Sequence, residues 1–499
     1  MSAALDELGF GRARPGVAGL DEATLEEHRR RIHLHQHNGM FPGMAECIVA
    51  DGKIVYLDLC GVAHKEAGVR MTEKTLFRGY SMMKPITAVA FMSLVEEGKL
   101  RLDEPVSRFL PKFHDVKVRT KSGLQRPRRP VTLRHLLMHT SGIGYGPACT
   151  DRGQRIVARS LGEKTYKDIS LKQDSGEIDT LEKLCDALAA KPLLHQPGSA
   201  YEYGLSVDVL GRVMEVVTGQ SLRHIIRERV LIPSGMPDAT WDVPRGKARQ
   251  VCGYYRILKR PGSTKRFLQR LDGKAPEHSA YVRGSATQYP APAGVPAAGG
   301  FWGTCYTGLL FSLRDIAVFC QMLLNEGTSI TGARVLKPST IKSLRRNWFQ
   351  LKEASNKAFP PGWISPDVGW NPLGHVQLTG PHAGALFMGG MSYFWLDPKL
   401  KIASAIMTET YWQVQPVGWR DRSDTMEQVI EQAVRVAGEA AAKEASEAVE
   451  FASPTKPAKT RTTVASRTPD KLPAARKRGA LPVAEGSVLK RARPVPVRA

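Results

Sequence analysis

The sequence predicts an α/β (α+β) fold, on three observations. Strand-like runs lie towards both ends of the chain, at 44–50 and 53–60 and again at 391–396 and 402–407. Residues 85–95 are almost entirely apolar (Ile86, Ala88, Val89, Ala90, Phe91, Met92, Leu94, Val95), as in a helix buried on every side. Helical periodicity recurs between these regions, as at Val207, Leu210, Val213, Met214 and Val217.

The elements follow in order. Residues 1–20 form an N-terminal extension with no continuous apolar core, so no secretory signal is read there. Asp21-Glu22-Ala23-Thr24 opens a helix with an acidic first turn, running towards Gly39. The turn Asp51-Gly52 joins the first two strands into a hairpin. Gly98 is placed to end the apolar helix. Residues 181–194 read as a helix, and Gly219 closes the helix that begins near 207. Ser312 and Asp315 have capping-box spacing and introduce a helix through Leu324, stopped at Gly327. Asp397-Pro398 marks the turn between the last two strands, and 423–449 is a long Ala/Glu helix.

Composition bounds the rest. Net charge is +23, but 452–499 alone carries 12 Lys/Arg and 2 Asp/Glu, so the body needs no nucleic-acid partner to explain its charge. This tail is Pro-, Ala- and Lys-rich without periodicity and reads as disordered. Its clusters Arg476-Lys477-Arg478 and Lys490-Arg491-Ala492-Arg493 have the look of a two-part nuclear-import signal. A generic basic tail able to touch an acidic partner fits them at least as well. No run of about 18 apolar residues offers a membrane span. Seven scattered cysteines without a CxxC pair favour reduced thiols and a cytoplasmic location.

The chemistry centres on Ser81 and Lys84. Three apart, they share one face at the mouth of the apolar helix. An ammonium brought there loses hydration, which moves a lysine towards a useful base and gives the hydroxyl a proton acceptor. Ser-x-x-Lys alone is common. Here its flanks extend it: Tyr80-Ser81-Met82-Met83-Lys84-Pro85-Ile86-Thr87, then Leu94-Val95-Glu96-Glu97-Gly98-Lys99-Leu100 and Leu102-Asp103-Glu104-Pro105-Val106. Together these resemble the first motif of the serine β-lactamase and penicillin-binding-protein superfamily. Within it they are most similar to the class C-related branch of family VIII carboxylesterases and acyltransferases. The match spans roughly residues 25 to 430.

The resemblance implies a β-lactamase/transpeptidase-like fold over 21–447. In it a central antiparallel sheet of N- and C-terminal strands is flanked by helices, beside a mainly helical lobe, with the site between them. Polar stretches at 150–179 and 247–292 are insertions on this frame, the second a lid or substrate loop. Residues 131–142 match a helix and turn along one cleft wall. Tyr203, in Tyr201-Glu202-Tyr203-Gly204-Leu205, matches the second-motif tyrosine that relays the nucleophile's proton; Tyr201 fits worse. Leu205 stands where β-lactamases and peptidases carry an Asn that grips a substrate amide. With Tyr80 it is expected to line the substrate pocket, and its apolar side chain favours esters or thioesters. His382-Ala383-Gly384 is taken as the third motif, which makes the Ala385 N–H an oxyanion donor beside that of Ser81. Counting back from Phe394-Trp395-Leu396-Asp397-Pro398 places that motif instead on Leu386-Phe387-Met388.

The implied function is acyl-enzyme hydrolysis or transfer of a small-molecule acyl group through Ser81, with no cofactor. β-Lactamase or D-amino-acid peptidase activity is one rival, and a non-catalytic binding scaffold another. His135 and His139 lack a third metal ligand, and no Cys or acidic partner completes a site at His33, His35 and His37; a structural role, with His139 capping or bonding at the turn, suits the first pair, and a solvated helix end suits the other three.

Overall fold

Asp51 and Gly52 both adopt left-handed backbone angles (φ 48° and 72°), the geometry of a tight hairpin between strands β2 (Gly43–Ala50) and β3 (Lys53–His64). The computed structural model describes residues 10–145, 164–174, 177–241, 248–259, 266–270, 309–349, 364–390, 392–411 and 426–452. The chain divides into two units, 1–444 and 445–499, and the first holds everything that follows apart from the end of the last helix.

The hairpin is the N-terminal part of a nine-stranded sheet. Its other strands are β1 (Gly11–Arg12), β4 (Val69–Arg70), β5 (Val368–Asn371), β6 (Gly374–Gln377), β7 (Leu386–Gly389), β8 (Tyr393–Asp397) and β9 (Ile402–Met407). The order is β1-β3-β2-β9-β8-β7-β6-β5, with β4 on β3. Every pairing is antiparallel except β1 with β3. The two ends of the chain meet at β2 and β9, in register from Ala50 opposite Ile402 to Ala45 opposite Met407.

Alternation along β2 sorts its side chains to two cores. Cys47 and Val49 face the main core, with helices α2 (Met83–Glu96), α5 (Ser206–Thr218) and α6 (Leu313–Leu324). Met44, Ile48 and Ala50 face a second core under α1 (Glu22–His37) and α7 (Met426–Ala452), which contribute Leu25, Ile32, Val429, Ile430 and Ala433. Both faces are covered, so β2 is buried from end to end. Beyond α2, the helices α3 (Leu133–Leu137) and α4 (Leu181–Ala189) pack on α5 to form the helical lobe.

Caps fall where the side chains demand them. Asp21 accepts from the Thr24 N–H at 2.7 Å, and Ser312 and Asp315 form the expected capping box. The helix expected over 181–194 ends at Ala189. Within 150–179, Lys167–Asp174 is helical. Within 247–292, Tyr255–Lys259 and Arg266–Arg270 pair as a hairpin beside Thr410–Tyr411, so part of the expected loop is a small sheet. Of the tail, only Ala452 lies among the described residues. No helix among them is long and apolar enough to cross a membrane.

Candidate active site

Ser81 lies in a single 3-10 turn, Tyr80–Met82, that runs straight into α2. The helix is buried from Met83 through Met92, so the turn is pinned from behind by a rigid element. Lys84, one turn on and 2% exposed, donates from Nζ to Ser81 Oγ at 3.3 Å. Tyr203 comes from the approach to α5, and its hydroxyl is hydrogen-bonded to Ser81 Oγ at 2.6 Å. Lys84 Nζ stands 4.5 Å from the centre of the Tyr203 ring, a cation over a π face. The structure therefore brings the three residues together, 122 positions apart at the widest. Tyr201 is elsewhere: it is wholly buried among His139, Phe349 and Trp370.

Burial pushes the Tyr203 phenol above its ordinary range, against a lowering by the bond to Ser81 and with a further rise from the Asp208 carboxylate. At rest it is a neutral phenol.

His139 was expected to act only at its own turn, yet it fixes Tyr203 from both sides. Its carbonyl accepts from the Glu202 N–H at 2.8 Å and its Nδ1 accepts from the Gly204 N–H at 3.3 Å. Its ring lies 4.6 Å from that of Tyr203. Burial first, then the Lys84 ammonium, holds this imidazole well below its usual pKa, so it is neutral and Nδ1 can accept. Capping of α3 falls to His135 instead, whose Nδ1 accepts from the Thr132 N–H. Four-residue spacing hinted at a pair of histidines but not at this division of labour. Of the N-terminal histidines, His33 is not simply solvated: its Nε2 bonds Asp58 at 3.0 Å.

The third motif needs correction. His382, Ala383 and Gly384 form a turn between β6 and β7, opened by Gly380 (φ 79°) and closed by Gly384 (φ 102°), and are not on a strand. The Ala385 N–H donates to His382 O at 2.9 Å, and His382 Nδ1 bonds Asp397 at 2.9 Å. Pro381 between glycines favours a turn over a strand, and that turn consumes the amide proposed for the oxyanion. The strand lying against the Tyr80–Met82 turn is β7, residues 386–389, as the count from Phe394 indicated.

Of the two expected pocket residues, Leu205 differs from the reading. Leu205 is 1% exposed and belongs to the main core, so it withholds a polar group more than it lines a wall. Tyr80 has φ 41°, and its hydroxyl donates to Glu409 Oε2 at 2.9 Å. Among the described residues no group of three or more His, Cys, Asp or Glu could hold a metal ion.

Several known proteins are similar to this chain. The family model described as Beta-lactamase matches residues 28–412. Esterase EstB of Burkholderia gladioli is 34% identical over 422 residues, covering 83% of this chain and 95% of its own. Penicillin-binding protein 4 of Amycolatopsis lactamdurans is 27% identical, over 78% of this chain and 85% of its own. Among solved structures, "EstCE1, a hydrolase with promiscuous acyltransferase activity" superposes with a TM-score of 0.60 at 25% identity, over 83% of this chain and 98% of its own.

Proposed function

Because the chain belongs to the beta-lactamase family, we propose that it is a serine hydrolase working through an acyl-enzyme on Ser81, with small esters or thioesters as acyl donors. The observation that carries the reading is the close approach of Ser81 Oγ to both Tyr203 Oη and Lys84 Nζ, at 2.6 and 3.3 Å in a buried setting. In this scheme the reactive form has Lys84 as the free amine, so as Ser81 Oγ attacks the carbonyl carbon its proton passes to Lys84 Nζ, with the Tyr203 phenol as relay. The same proton returns to the departing alkoxide or thiolate, and water or an acceptor alcohol then repeats the sequence to free the acyl group. The Ser81 N–H, in a first turn where amides lack intrahelical partners, is one oxyanion donor. The second is a backbone N–H at the end of β7, the strand against the Tyr80–Met82 turn.

Preference for esters over amides rests on Leu205. A site with no amide to pair with a substrate amide leaves that group unsatisfied and so discriminates against it. The names of EstB and EstCE1 point the same way. Similarity to a penicillin-binding protein keeps lactam or peptide hydrolysis as the second reading. Among the described residues five buried cysteines are free, which fits a reducing compartment, and the basic tail would suit an acidic partner.

Fluorophosphonate labelling of the intact chain and of Ser81→Ala, beside turnover of short-chain nitrophenyl esters and a chromogenic cephalosporin, tests the proposal. Labelling and ester turnover that vanish in Ser81→Ala are expected. A chain that takes no label is a binding scaffold, and one that prefers the cephalosporin is a β-lactamase.

A further inference from the structure

Beyond the three residues that meet at Ser81, the structure assigns Glu409 as a positioning residue for the nucleophile; the inference rests on Ser81 being that nucleophile. Tyr80, immediately before Ser81, sits in the left-handed region at φ 41°. A bulky residue holds that conformation only when its surroundings over-determine it. One carboxylate supplies much of the restraint. Glu409 Oε2 accepts from the Tyr80 hydroxyl at 2.9 Å, and Oε1 accepts from the Arg78 backbone N–H at 2.5 Å. The Arg78 guanidinium, itself donating to Cys252 O at 3.0 Å, stands 3.5 Å from Oε2. Glu409 is fully buried, two residues past β9, and its carbonyl is fixed in turn by the Tyr255 N–H at 2.9 Å.

The residues on either side of Gly79 are thus tied to one point brought in from 331 positions away. Gly79 is glycine for the same reason of space: a Cβ there would stand 2.7 Å from Leu309 O and closer still to the Phe311 ring. With 78 and 80 held, the peptide plane entering Ser81 is set, and with it the direction of both Oγ and the Ser81 N–H. Without the carboxylate, Tyr80 can relax to an ordinary φ. That rotates the plane and carries Oγ away from Tyr203, and a displacement of this order costs about a hundredfold in rate.

The test compares Glu409→Gln, Tyr80→Phe and the double variant with the parent, by kcat and KM on a nitrophenyl ester, fluorophosphonate labelling rate and thermal midpoint. Expected are a kcat and a labelling rate lowered by roughly 10- to 100-fold with KM nearly unchanged. The double variant should lose no more than the worse single one, because both act through the same contact. A folded Glu409→Gln with parental kcat overturns the assignment, as does a double loss equal to the product of the single losses. Should Glu409→Gln fail to fold, Tyr80→Phe reads the same contact while sparing the ion pair, and parental kcat there overturns it equally. A parent chain that is itself unlabelled and inactive removes the Ser81 reading, and the assignment falls with it. An active parent with unaffected variants removes the assignment alone.

Discussion

Tyr203 lives under opposing demands: burial keeps its phenol neutral, while the bond to Ser81 Oγ asks it to share a proton. Tyr203→Phe keeps the packing and removes only that oxygen, so kcat should fall by about 10² to 10⁴ with the thermal midpoint little moved. His139→Ala removes the acceptor of the Gly204 N–H and the ring packed on Tyr203, while the backbone carbonyl that holds Glu202 stays, and it should lower kcat more than KM, read on the same ester. A third residue reports through stability. Burial raises the Glu202 carboxyl to about 8 from an ordinary 4.5. Between those values the folded chain holds a proton that the unfolded chain has released. Stability attributable to this group therefore declines as pH rises from about 4.5 to about 8, at up to about 1.4 kcal/mol per pH unit. Urea denaturation of Glu202→Gln across that range should show the variant gaining on its parent as pH rises, and a constant difference would refute the assignment. Ser81 and Lys84 were legible as residues because their flanks are distinctive. His139 was not, since its work is done by a carbonyl and a ring nitrogen aimed at a segment 65 positions away.

Elements place these residues by meeting at close quarters. The loop carrying Tyr203 crosses that carrying Gly144 with backbone almost touching backbone: a Cβ on Gly204 would stand 2.3 Å from Ile143 O and 2.6 Å from Gly144. Gly204→Ala should therefore cost about 1 to 3 kcal/mol and shift Tyr203 as well. Chemical denaturation and kcat measured on the same preparation check both. Helix α2 and the β2–β3 hairpin were readable because each follows a local rule, an all-apolar run or an Asp-Gly turn between strands. The turn at 380–384 misled because His-x-Gly is a short pattern, whereas strand membership of β7 depends on pairing with β6 and β8.

Across the whole molecule, every residue assigned to the chemistry lies in unit 1–444, while 453–499 carries much of the positive charge. A chain ending at Ala452 should keep its ester kcat and KM. It should also elute earlier in salt from a polyanionic column, because exposed charge binds through screened, long-range attraction. Parental retention on that column would show that the body, and not the tail, carries the basic surface.

Sequence alone determined the fold class and most helix and strand positions, and it singled out Ser81, Lys84 and Tyr203, the three residues that the structure brings together. The elements are written in periodicity and caps, and Ser81 and Lys84 in one contiguous motif, whose physics acts over a few residues; Tyr203 was implied by the family resemblance. Tertiary structure alone decided which strand borders Ser81, that the Ala385 amide is already engaged, and that His139 bonds the Gly204 N–H and Glu409 the Tyr80 hydroxyl. Those facts depend on groups far apart in the chain, brought together when two faces of one sheet are buried at once, and no local pattern encodes that distance.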